Sequence, residues 1–443
     1  MNKRLPILLS SRPETPIFWY KNEIITHAQF QRDVSRVAAL LPLHPYLINL
    51  CEDRYLFALG FVASIIQQQI CLMPAHRAEK EIERLAIQYP DSHRIDDAII
   101  ESFLNEKNSG TIAFPQEIDT EQLVAIIFTS GSTGEPKANY KKWGTLVDSA
   151  GRVAEQLRLN QPAQHTLVAT VPPQHMYGFE TTIIFPLVTG VCVHNSKPFF
   201  PDDIRHVLNE VSSPSILVTT PIHLRACVQT ELHWPEIDFA LSATAPLTEQ
   251  LAQQVEQSLH TRVREIYGCS EAGVIATRET NKNSIWQLLP GYEFKECLDG
   301  FCLITPQLQE EIFLPDQIQL LDDQHFNLLG RQSDLIKIAG KRGSLNDLKI
   351  KLCALNGIED AVFFMANENP DENSRIAAFV VAPDLEIKEI NAFFSQQVDN
   401  AFMPRPLIKV DKLPYNETGK LPLKSILELY KQYRTNKYLK DSA

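Results

Sequence analysis

Short apolar runs alternate along this chain with longer segments in which apolar residues recur every three or four positions. A short apolar run predicts a buried strand, and recurrence at three and four predicts a helix with one buried face. The clearest strands are predicted at residues 125–128, 167–171, 215–219, 239–242 and 263–267. Strands that alternate with amphipathic helices are typical of layered proteins, so the predicted fold class is α/β.

The best-defined helix is predicted just after a polar segment at residues 129–137. Its apolar positions are Trp143, Leu146, Val147, Ala150, Val153, Ala154 and Leu157. Their spacing marks one buried face. The polar segment is therefore expected to lie between the strand at 125–128 and this helix, so that both of its ends are held in place.

A domain boundary is predicted near Gln332 and Ser333. Residues 1–331 are expected to form a large domain of layered sheets and helices. Residues 332–443 are expected to form a smaller α+β domain, with strands at 361–365 and 376–381 and a helix at 387–398. The sequence contains no internal repeat, coiled-coil heptad pattern or low-complexity segment.

The composition predicts a soluble enzyme. The chain has 443 residues, of which 44% are hydrophobic, and this is enough for a large core. The longest apolar run, at residues 56–66, is far shorter than the roughly 18 residues of a membrane helix, and the N-terminus lacks the apolar segment of a signal peptide. The eight cysteines are scattered without a C-x-x-C pair, which predicts reduced thiols and a cytoplasmic location.

The polar segment has the sequence Thr-Ser-Gly-Ser-Thr-Gly-Glu-Pro-Lys. Its two glycines allow a tight turn that directs backbone N–H groups at an anion, its hydroxyls add neutral donors, and Lys137 adds a positive charge. This composition predicts a polyphosphate-binding loop. Pro136 stands where the Walker motif requires glycine, so a P-loop ATPase or kinase is not expected. The alternative is an ordinary surface turn of the same composition.

Four further segments follow the loop in order. Residues 267–271 are Tyr-Gly-Cys-Ser-Glu, Arg331 of a Gly-Arg pair lies fifteen residues beyond Asp316, residues 340–342 are Gly-Lys-Arg, and residues 414–420 are Pro-Tyr-Asn-Glu-Thr-Gly-Lys. With the loop, they resemble the motifs of the adenylate-forming superfamily of acyl- and aryl-CoA synthetases, luciferases and peptide-synthetase adenylation domains. The resemblance extends over residues 18–424. It implies a large N-terminal domain that binds ATP and an acid, and a small, mobile C-terminal domain.

The resemblance implies ATP and Mg²⁺ as cofactors and a small-molecule carboxylic acid as substrate. It implies that Glu271 ligates Mg²⁺, that Lys420 bridges the carboxylate and the α-phosphate, and that His175 lies beside the acid. The residues implied to hold the outgoing pyrophosphate are Thr129, Ser130, Gly131, Ser132, Thr133, Gly134 and Lys137.

Other residues are implied to contact the nucleotide or the second substrate. They are Ala243 and Thr244 in a turn that passes over the adenine and borders the acid pocket, Tyr267, Gly268 and Ser270 in the adenine motif, Asp316 and Arg331 at the ribose, and Lys337 and Arg342 near the incoming thiol. The small domain of this family rotates after adenylation about a residue that is usually Asp or Lys. Ser333 occupies that position here.

Several of these residues also have purely structural explanations. Lys420 also fits a solvated turn, and Glu271 also fits the cap of a helix that begins at Ala272. Tyr267 and His175 also fit the protein core.

The chemistry of this family overcomes the low reactivity of a carboxylate toward nucleophiles. A carboxylate repels nucleophiles, and conversion to an acyl-adenylate gives it AMP as a leaving group. The step joins two anions, so positive charge is needed where they meet, and Lys420 and Mg²⁺ would supply it. The expected second step transfers the acyl group to coenzyme A or to the phosphopantetheine of an acyl carrier protein.

The substrate is suggested by a departure from the family. The loop is followed by Ala138 and Asn139 where Gly-Val is usual, and the chain is shorter than most stand-alone members of the family. Both features resemble the acyl-CoA-synthetase-like proteins of aryl polyene pigment clusters, which implies a hydroxybenzoate-like acid. A fatty-acid adenylating ligase, a non-thiol acceptor and a non-catalytic homologue remain open alternatives.

The charge is unevenly distributed along the chain. From Arg331 onward there are 17 basic and 15 acidic residues, a net +2, whereas the first 330 residues have 25 and 39, a net −14. A relatively basic C-terminal part favours an anionic partner such as coenzyme A or an acidic carrier protein, and an ordinary solvated surface is an equal alternative. An acidic chain without a basic stripe is not expected to bind nucleic acid.

Overall fold

The computed structural model describes residues 3–8, 12–106, 110–130, 136–159, 165–211, 214–298, 300–308, 310–331, 334–338, 341–366, 375–416 and 421–441. The chain forms two compact units. Unit 1 comprises Met1–Glu293 and Ile304–Ile312, and unit 2 comprises Phe294–Leu303 and Phe313–Ala443. Compactness does not decide where one domain would rotate against another, so the boundary expected at residues 331 and 332 stays a prediction.

Unit 1 contains sixteen described strands and ten described α-helices. The strands are β1 (Arg4–Pro6), β2 (Pro16–Tyr20), β3 (Glu23–Thr26), β4 (Tyr46–Asn49), β5 (Ile70–Met73), β6 (Ser92–Ile95), β7 (Glu117–Asp119), β8 (Leu123–Ser130), β9 (Pro136–Lys142), β10 (Thr166–Ala169), β11 (Cys192–Val193), β12 (Ser215–Thr219), β13 (Phe239–Ser242), β14 (Arg262–Cys269), β15 (Gly273–Arg278) and β16 (Trp286–Leu288). The helices are α1 (His27–Leu40), α2 (Arg54–Ile66), α3 (Glu79–Gln88), α4 (Asp97–Asn105), α5 (Trp143–Gln156), α6 (Met176–Phe179), α7 (Phe185–Thr189), α8 (Pro201–Glu210), α9 (Pro221–Val228) and α10 (Glu249–Leu259). A π-helical segment, Glu180–Ile184, joins α6 to α7.

Besides the two-stranded sheet β1-β7, unit 1 has a five-stranded sheet with the order β6-β4-β5-β8-β9. β4, β5, β6 and β8 run parallel, and β9 returns antiparallel to β8. β8 is buried from Val124 to Phe128 because it carries a continuous apolar run, which is typical of a strand covered on both faces.

The larger sheet of unit 1 has the order β16-β15-β14-β13-β12-β10-β11-β2-β3. β10, β12, β13 and β14 are parallel neighbours, and Ser242 pairs with both Thr219 and Glu265. The carboxyl ends of parallel strands meet at one edge of a sheet, where open α/β sheets bind ligands. That edge brings together the segments that follow β12, β13 and β14.

The core beneath this sheet consists of aliphatic side chains from strands and helices. Strand residues Val168, Leu217, Ala240 and Val263 meet helix residues Ile204, Leu224, Leu251 and Val255, all of them buried. Full burial of one such large aliphatic side chain contributes about 1.5–3 kcal/mol to stability. The packing therefore fixes the strands whose ends carry the predicted site.

Unit 2 consists of hairpins, a small sheet and three described α-helices. Its strands are β17 (Glu293–Cys297), β18 (Gly300–Ile304), β19 (Ile312–Leu314), β20 (Asp316–Leu320), β21 (His325–Arg331), β22 (Leu335–Ile338), β23 (Lys341–Ser344), β24 (Asp360–Met365), β25 (Ile376–Val381) and β26 (Leu407–Lys409). Its helices are α11 (Leu345–Cys353), α12 (Ile387–Gln397) and α13 (Leu423–Asp441), with a 3₁₀ turn at Asn400–Phe402.

The predicted elements are confirmed with small shifts of their ends. β12, β13 and β25 have the predicted bounds, and α5 spans the predicted helix. β10 ends at Ala169, two residues before the predicted end. The α/β fold class is confirmed.

Two other expectations from the sequence have definite outcomes. Cys297 and Cys302, on β17 and β18, form a disulfide, so the expectation of reduced thiols throughout is wrong for this pair. The other six cysteines are free thiols. Within the described part of the chain, none of the helices combines the length and the apolar character needed to span a bilayer.

Candidate active site

β8 and β9 are the strands that enter and leave the predicted phosphate loop. They pair antiparallel, and Thr129 lies opposite Lys137 in their register. Residues 131–135 lie outside the described residues, so the predictions for Gly131, Ser132, Thr133 and Gly134 stay predictions, as does that for the Ser130 side chain. The hairpin nonetheless fixes where the loop starts and where it ends.

The side chain of Asn139 links β8 and β9 by hydrogen bonds next to the loop. Its side-chain amide donates hydrogen bonds to the carbonyls of Ile127, at 3.1 Å, and Lys137, at 3.2 Å, and to Thr129 Oγ1 at 3.3 Å. Asn139 is buried because side chains alternate along a strand and its face of β9 points inward. This contact was not predicted from the sequence.

Lys137 and Glu271 form an ion pair at the end of the loop. Lys137 Nζ lies 2.5 Å from Glu271 Oε1, and the side chains are 62% and 36% exposed. Burial raises the pKa of Glu271, but the hydrogen bond and charge of Lys137 outweigh it and bring the pKa below its ordinary value. The same hydrogen bond raises the pKa of Lys137. At neutral pH the pair is therefore a carboxylate and an ammonium ion.

Glu271 lies at a tight reversal between β14 and β15. β15 begins at Gly273, so the alternative in which Glu271 caps a helix beginning at Ala272 is wrong. A β-carbon at Gly268 would lie 2.2 Å from the carbonyl oxygen of Gly273, and Gly273 itself has φ +79°. Both positions need glycine, since the first has no room and the second has a backbone conformation that other residues rarely adopt.

The Glu271 carboxylate fits the requirements of a Mg²⁺ ligand. Mg²⁺ prefers hard oxygen ligands and in nucleotide sites keeps waters and phosphate oxygens beside one or two carboxylates. Glu271 offers an ionised, partly exposed carboxylate next to the end of the phosphate loop. It is the residue that would hold the ion.

Tyr267 and Gly268 lie at the end of β14, and Ser270 is in the reversal that follows. The Tyr267 ring is only partly buried and packs at 5.7 Å from the ring of Trp286, with the two planes inclined by 56°. An aromatic ring at the end of such a strand can contact a flat ligand. The position is compatible with the predicted adenine contact, which stays a prediction.

The turn after β13 contains the predicted residues Ala243 and Thr244. Ala243 is buried, and Thr244 has φ +76°, a strained conformation for a β-branched residue. The buried hydroxyls of Ser242 and Thr244 have no hydrogen-bond partner among the described residues. Strain and unpartnered donors at the carboxyl edge of a sheet indicate a ligand-binding turn.

His175 immediately precedes α6 and is only partly buried, so it is not a core residue. Its backbone carbonyl accepts a hydrogen bond from Phe179, at 2.7 Å. Tyr177 donates from its hydroxyl to the Leu241 carbonyl, at 2.7 Å, and this joins α6 to β13. His175 is thus held near the turn that contains Thr244.

The remaining predicted residues belong to unit 2. Asp316 begins β20, is buried, and pairs in register with Arg331 at the end of β21. Lys337 and Arg342 are opposite each other on β22 and β23. The side chains of Arg331, Lys337 and Arg342, and the whole of Lys420 and Ser333, lie outside the described residues, so their roles stay predictions.

Two buried charged residues beside this site were missed by the sequence reasoning. Lys141 is 1% exposed and donates from Nζ to the backbone carbonyl of Glu271, at 2.9 Å. Glu180 opens the π-helical segment, is also buried, and accepts a hydrogen bond from the Ser149 hydroxyl at 3.3 Å. The only signal in the sequence was the unusual stretch after the loop, in which Lys141 lies.

The comparison with known families identifies the family to which this chain belongs. The profile of the family described as AMP-binding enzyme matches residues 45–295, more than half of the chain. The chain belongs to the AMP-binding enzyme family. Its membership in the adenylate-forming superfamily, expected from the five motifs, is confirmed.

Known relatives of this AMP-binding enzyme family member extend over most of its length. It is 24% identical over 334 residues to the putative long chain fatty acid-CoA ligase VraA of Staphylococcus epidermidis, an alignment that covers 71% of this chain and 73% of the relative. ATP-bound MatB from Rhodopseudomonas palustris superimposes with a TM-score of 0.83 at 16% identity, over 95% of this chain and 97% of that one.

A third comparison concerns a structure that contains ATP and a metal ion. O-succinylbenzoate coenzyme A synthetase (MenE) from Bacillus subtilis, in complex with ATP and magnesium ion, gives a TM-score of 0.77 at 17% identity, over 95% of this chain and 99% of that one. At such identities the similarity shows a shared fold. That fold extends over nearly the whole chain.

Proposed function

We propose that this protein is an AMP-forming acid–thiol ligase. It activates a carboxylic acid with ATP and transfers the acyl group to the thiol of coenzyme A or of a carrier protein's phosphopantetheine. The observation that carries the proposal is the Lys137–Glu271 pair. It places an ammonium ion and a carboxylate suited to Mg²⁺ at the end of a loop whose composition suits polyphosphate.

The first half-reaction forms the acyl-adenylate. A carboxylate oxygen of the acid attacks the α-phosphorus of ATP, the bond from that phosphorus to the bridging oxygen breaks, and pyrophosphate leaves with the electron pair. Lys137 and the loop hold the departing phosphates. Lys420 neutralises the two anions as they meet, and Mg²⁺, when bound at Glu271, supplies further positive charge.

The residues that we assign to the nucleoside are those of the family's motifs. Tyr267 contacts the adenine face and the turn of Ala243 and Thr244 passes over it, while Asp316 and Arg331 bind the ribose. His175 lies beside the carboxylate of the acid. These roles follow the family resemblance. The partly exposed ring of Tyr267, the strained turn at Thr244 and the pairing of Asp316 with Arg331 support them separately.

The second half-reaction transfers the acyl group. The thiolate attacks the acyl carbon, the bond from that carbon to the adenylate oxygen breaks, and AMP leaves. Lys337 and Arg342 are opposite each other on the β22–β23 hairpin and would bind the anionic carrier of the thiol.

The acid that we propose is aromatic and polar, of the hydroxybenzoate type. The unpartnered hydroxyls of Ser242 and Thr244 favour an acid with a polar group. A long-chain fatty acid is the second candidate, because VraA is described as a putative long chain fatty acid-CoA ligase. ATP and coenzyme A are cytoplasmic metabolites, which supports a cytoplasmic location.

Pyrophosphate exchange tests the first half-reaction. Labelled pyrophosphate should enter ATP only when a cognate acid is present, and a panel of hydroxybenzoates, cinnamates, malonate and fatty acids identifies that acid. Mass spectrometry of reactions with coenzyme A or with phosphopantetheinyl carrier protein then identifies the acceptor. Exchange with fatty acids alone contradicts the aromatic assignment. ATP binding without exchange for any acid contradicts the ligase and favours the non-catalytic homologue.

A further inference from the structure

Two buried charged side chains that none of the motifs includes contact the reversal that carries Glu271. Lys141 donates a hydrogen bond to the carbonyl of Glu271 itself, at 2.9 Å. Glu180 accepts a hydrogen bond from the backbone N–H of Val274, three residues later. The backbone from Glu271 to Val274 is therefore contacted at both of its ends.

Lys141 reaches Glu271 because of the geometry of β9. Side chains two residues apart on a strand share a face, so Lys137, Asn139 and Lys141 all project to the same side. Lys137 contacts the carboxylate of Glu271 and Lys141 contacts its carbonyl, at 2.5 Å and 2.9 Å. One face of the strand that leaves the phosphate loop thus binds Glu271 at two points.

Glu180 contacts the same reversal near Gly273. Its Oε1 accepts from the Ser149 hydroxyl, and a β-carbon at Gly273 would lie only 2.4 Å from the same oxygen. Glu180 begins a π-helical segment, and such segments are frequent at functional sites. Burial lowers the pKa of Lys141 and the charge of Glu180 opposes that effect, so each residue favours the charged form of the other.

We propose that Lys141 and Glu180 are positioning residues that hold the backbone from Glu271 to Val274, so that the Glu271 carboxylate faces the end of the phosphate loop. The inference deepens the proposed function and rests on it, because the position of Glu271 matters when the protein binds Mg²⁺ and ATP. Lys141 and Glu180 act through Glu271 and do not touch the substrates.

The substitution Lys141→Met removes the ammonium ion and keeps much of the side chain's length. Lys142→Met is the matched control, because Lys142 is the next residue on β9, is exposed, and pairs with Glu121 at 2.7 Å. Calorimetric titration of ATP binding at increasing Mg²⁺ gives the midpoint of Mg²⁺ dependence for each protein. We expect K141M to raise that midpoint about tenfold to a hundredfold, since loss of a group that orients a metal ligand typically has this effect. K142M should match the wild type.

A second measurement needs neither nucleotide nor activity. Hydrogen–deuterium exchange of the peptide that spans residues 267–274 should be faster in K141M and in Glu180→Gln than in wild type or K142M. Glu180→Gln keeps the side chain's size and gives the same comparison if K141M does not fold.

The two measurements separate the possible failures. A folded K141M with a lower melting temperature but unchanged exchange at residues 267–274 and an unchanged Mg²⁺ midpoint would show a purely structural role, and would overturn the positioning proposal. A wild-type protein that binds no ATP at any Mg²⁺ concentration would overturn the proposed function instead, and the exchange rates would still decide whether Lys141 and Glu180 hold this backbone.

Discussion

Asp316 and Arg331 lie directly opposite each other at one end of the β20–β21 hairpin. Asp316 is buried although Leu314 and Pro315 precede it where the family has Thr-Gly. Two residues that were assigned to the ribose from separate motifs therefore occupy one end of a single hairpin. Their shared location is compatible with a common ligand.

Asp316→Asn should raise the KM for ATP in pyrophosphate exchange about tenfold to a hundredfold. The carboxylate is expected to accept hydrogen bonds from the ribose hydroxyls, and a hydrogen bond to a charged group is worth about 1.5–3 kcal/mol. The variant should also discriminate less between ATP and 2′-deoxy-ATP. Asp322→Asn is the control, because Asp322 is exposed in the same hairpin. An unchanged KM for ATP in D316N would remove Asp316 from the nucleotide site.

Lys137→Met should lower activity with ATP while leaving the stability of the fold nearly unchanged. The Lys137–Glu271 pair is solvent-exposed, so its loss should change the free energy of unfolding by less than about 1 kcal/mol. The value of kcat/KM for ATP should nevertheless fall about tenfold to a thousandfold, because a charge near the phosphates is lost. Denaturant titration and exchange kinetics provide the two measurements. If both quantities change as little as in Lys142→Met, Lys137 has no role in phosphate binding.

Gly273→Ala should destabilise the protein by about 1–3 kcal/mol, because the position has φ +79° and the added carbon would meet Glu180. Gly151→Ala is the control, and we expect it not to destabilise the protein. A β-carbon at Gly151, inside α5, would meet no atom within 4 Å, so alanine should be neutral or stabilise by up to about 1 kcal/mol. Urea unfolding measures both changes. Equal stability of the two variants would contradict the described turn.

Glu180→Gln should change how stability depends on pH. Burial raises the pKa of Glu180 to about 7 from an ordinary 4.5. The folded protein therefore keeps this proton more tightly than the unfolded chain, and its stabilising effect is complete below pH 4.5 and lost as the pH rises to about 7. Relative to E180Q, the wild type should lose about 3 kcal/mol over this interval. Urea unfolding at several pH values measures the difference. Parallel curves for the two proteins would show that Glu180 titrates normally, and exposed Glu121→Gln should follow the wild type.

Lys420→Ala should reduce acid-dependent pyrophosphate exchange about a hundredfold to a thousandfold, as expected when a charge that stabilises a transition state is removed. Lys412→Ala is the control, because Lys412 is an exposed lysine that precedes the same motif. Circular dichroism should show both variants folded. Undiminished exchange in K420A would contradict the central assignment of the proposed function.

The parts of the fold that the sequence predicted well are those in which one physical pattern dominates. β12 and β13 are continuous apolar runs between polar segments, so both of their ends were predictable. α5 was predictable because its buried residues recur at helical spacing. The loop composition and the ordered motifs likewise single out Lys137 and Glu271, and the two side chains are in contact.

Other features could not be predicted from sequence patterns, for identifiable reasons. Lys141 and Glu180 are charged residues, which pattern reasoning places at the surface, and only the three-dimensional contacts show that both are buried beside Glu271. The positive φ of Thr244 contradicts the preference of a β-branched residue, so tertiary structure must impose it.

The reversal between β14 and β15 limits how this site can be redesigned. Neither Gly268 nor Gly273 leaves space for a methyl group, so libraries that randomise this reversal should keep both glycines. Variation aimed at a new acid has more freedom at Thr244, where replacement by glycine would relieve the backbone strain and remove the unpartnered hydroxyl together. The protein thus combines a rigid reversal beside the phosphate loop with an adjustable turn that, by the family resemblance, borders both the adenine and the acid.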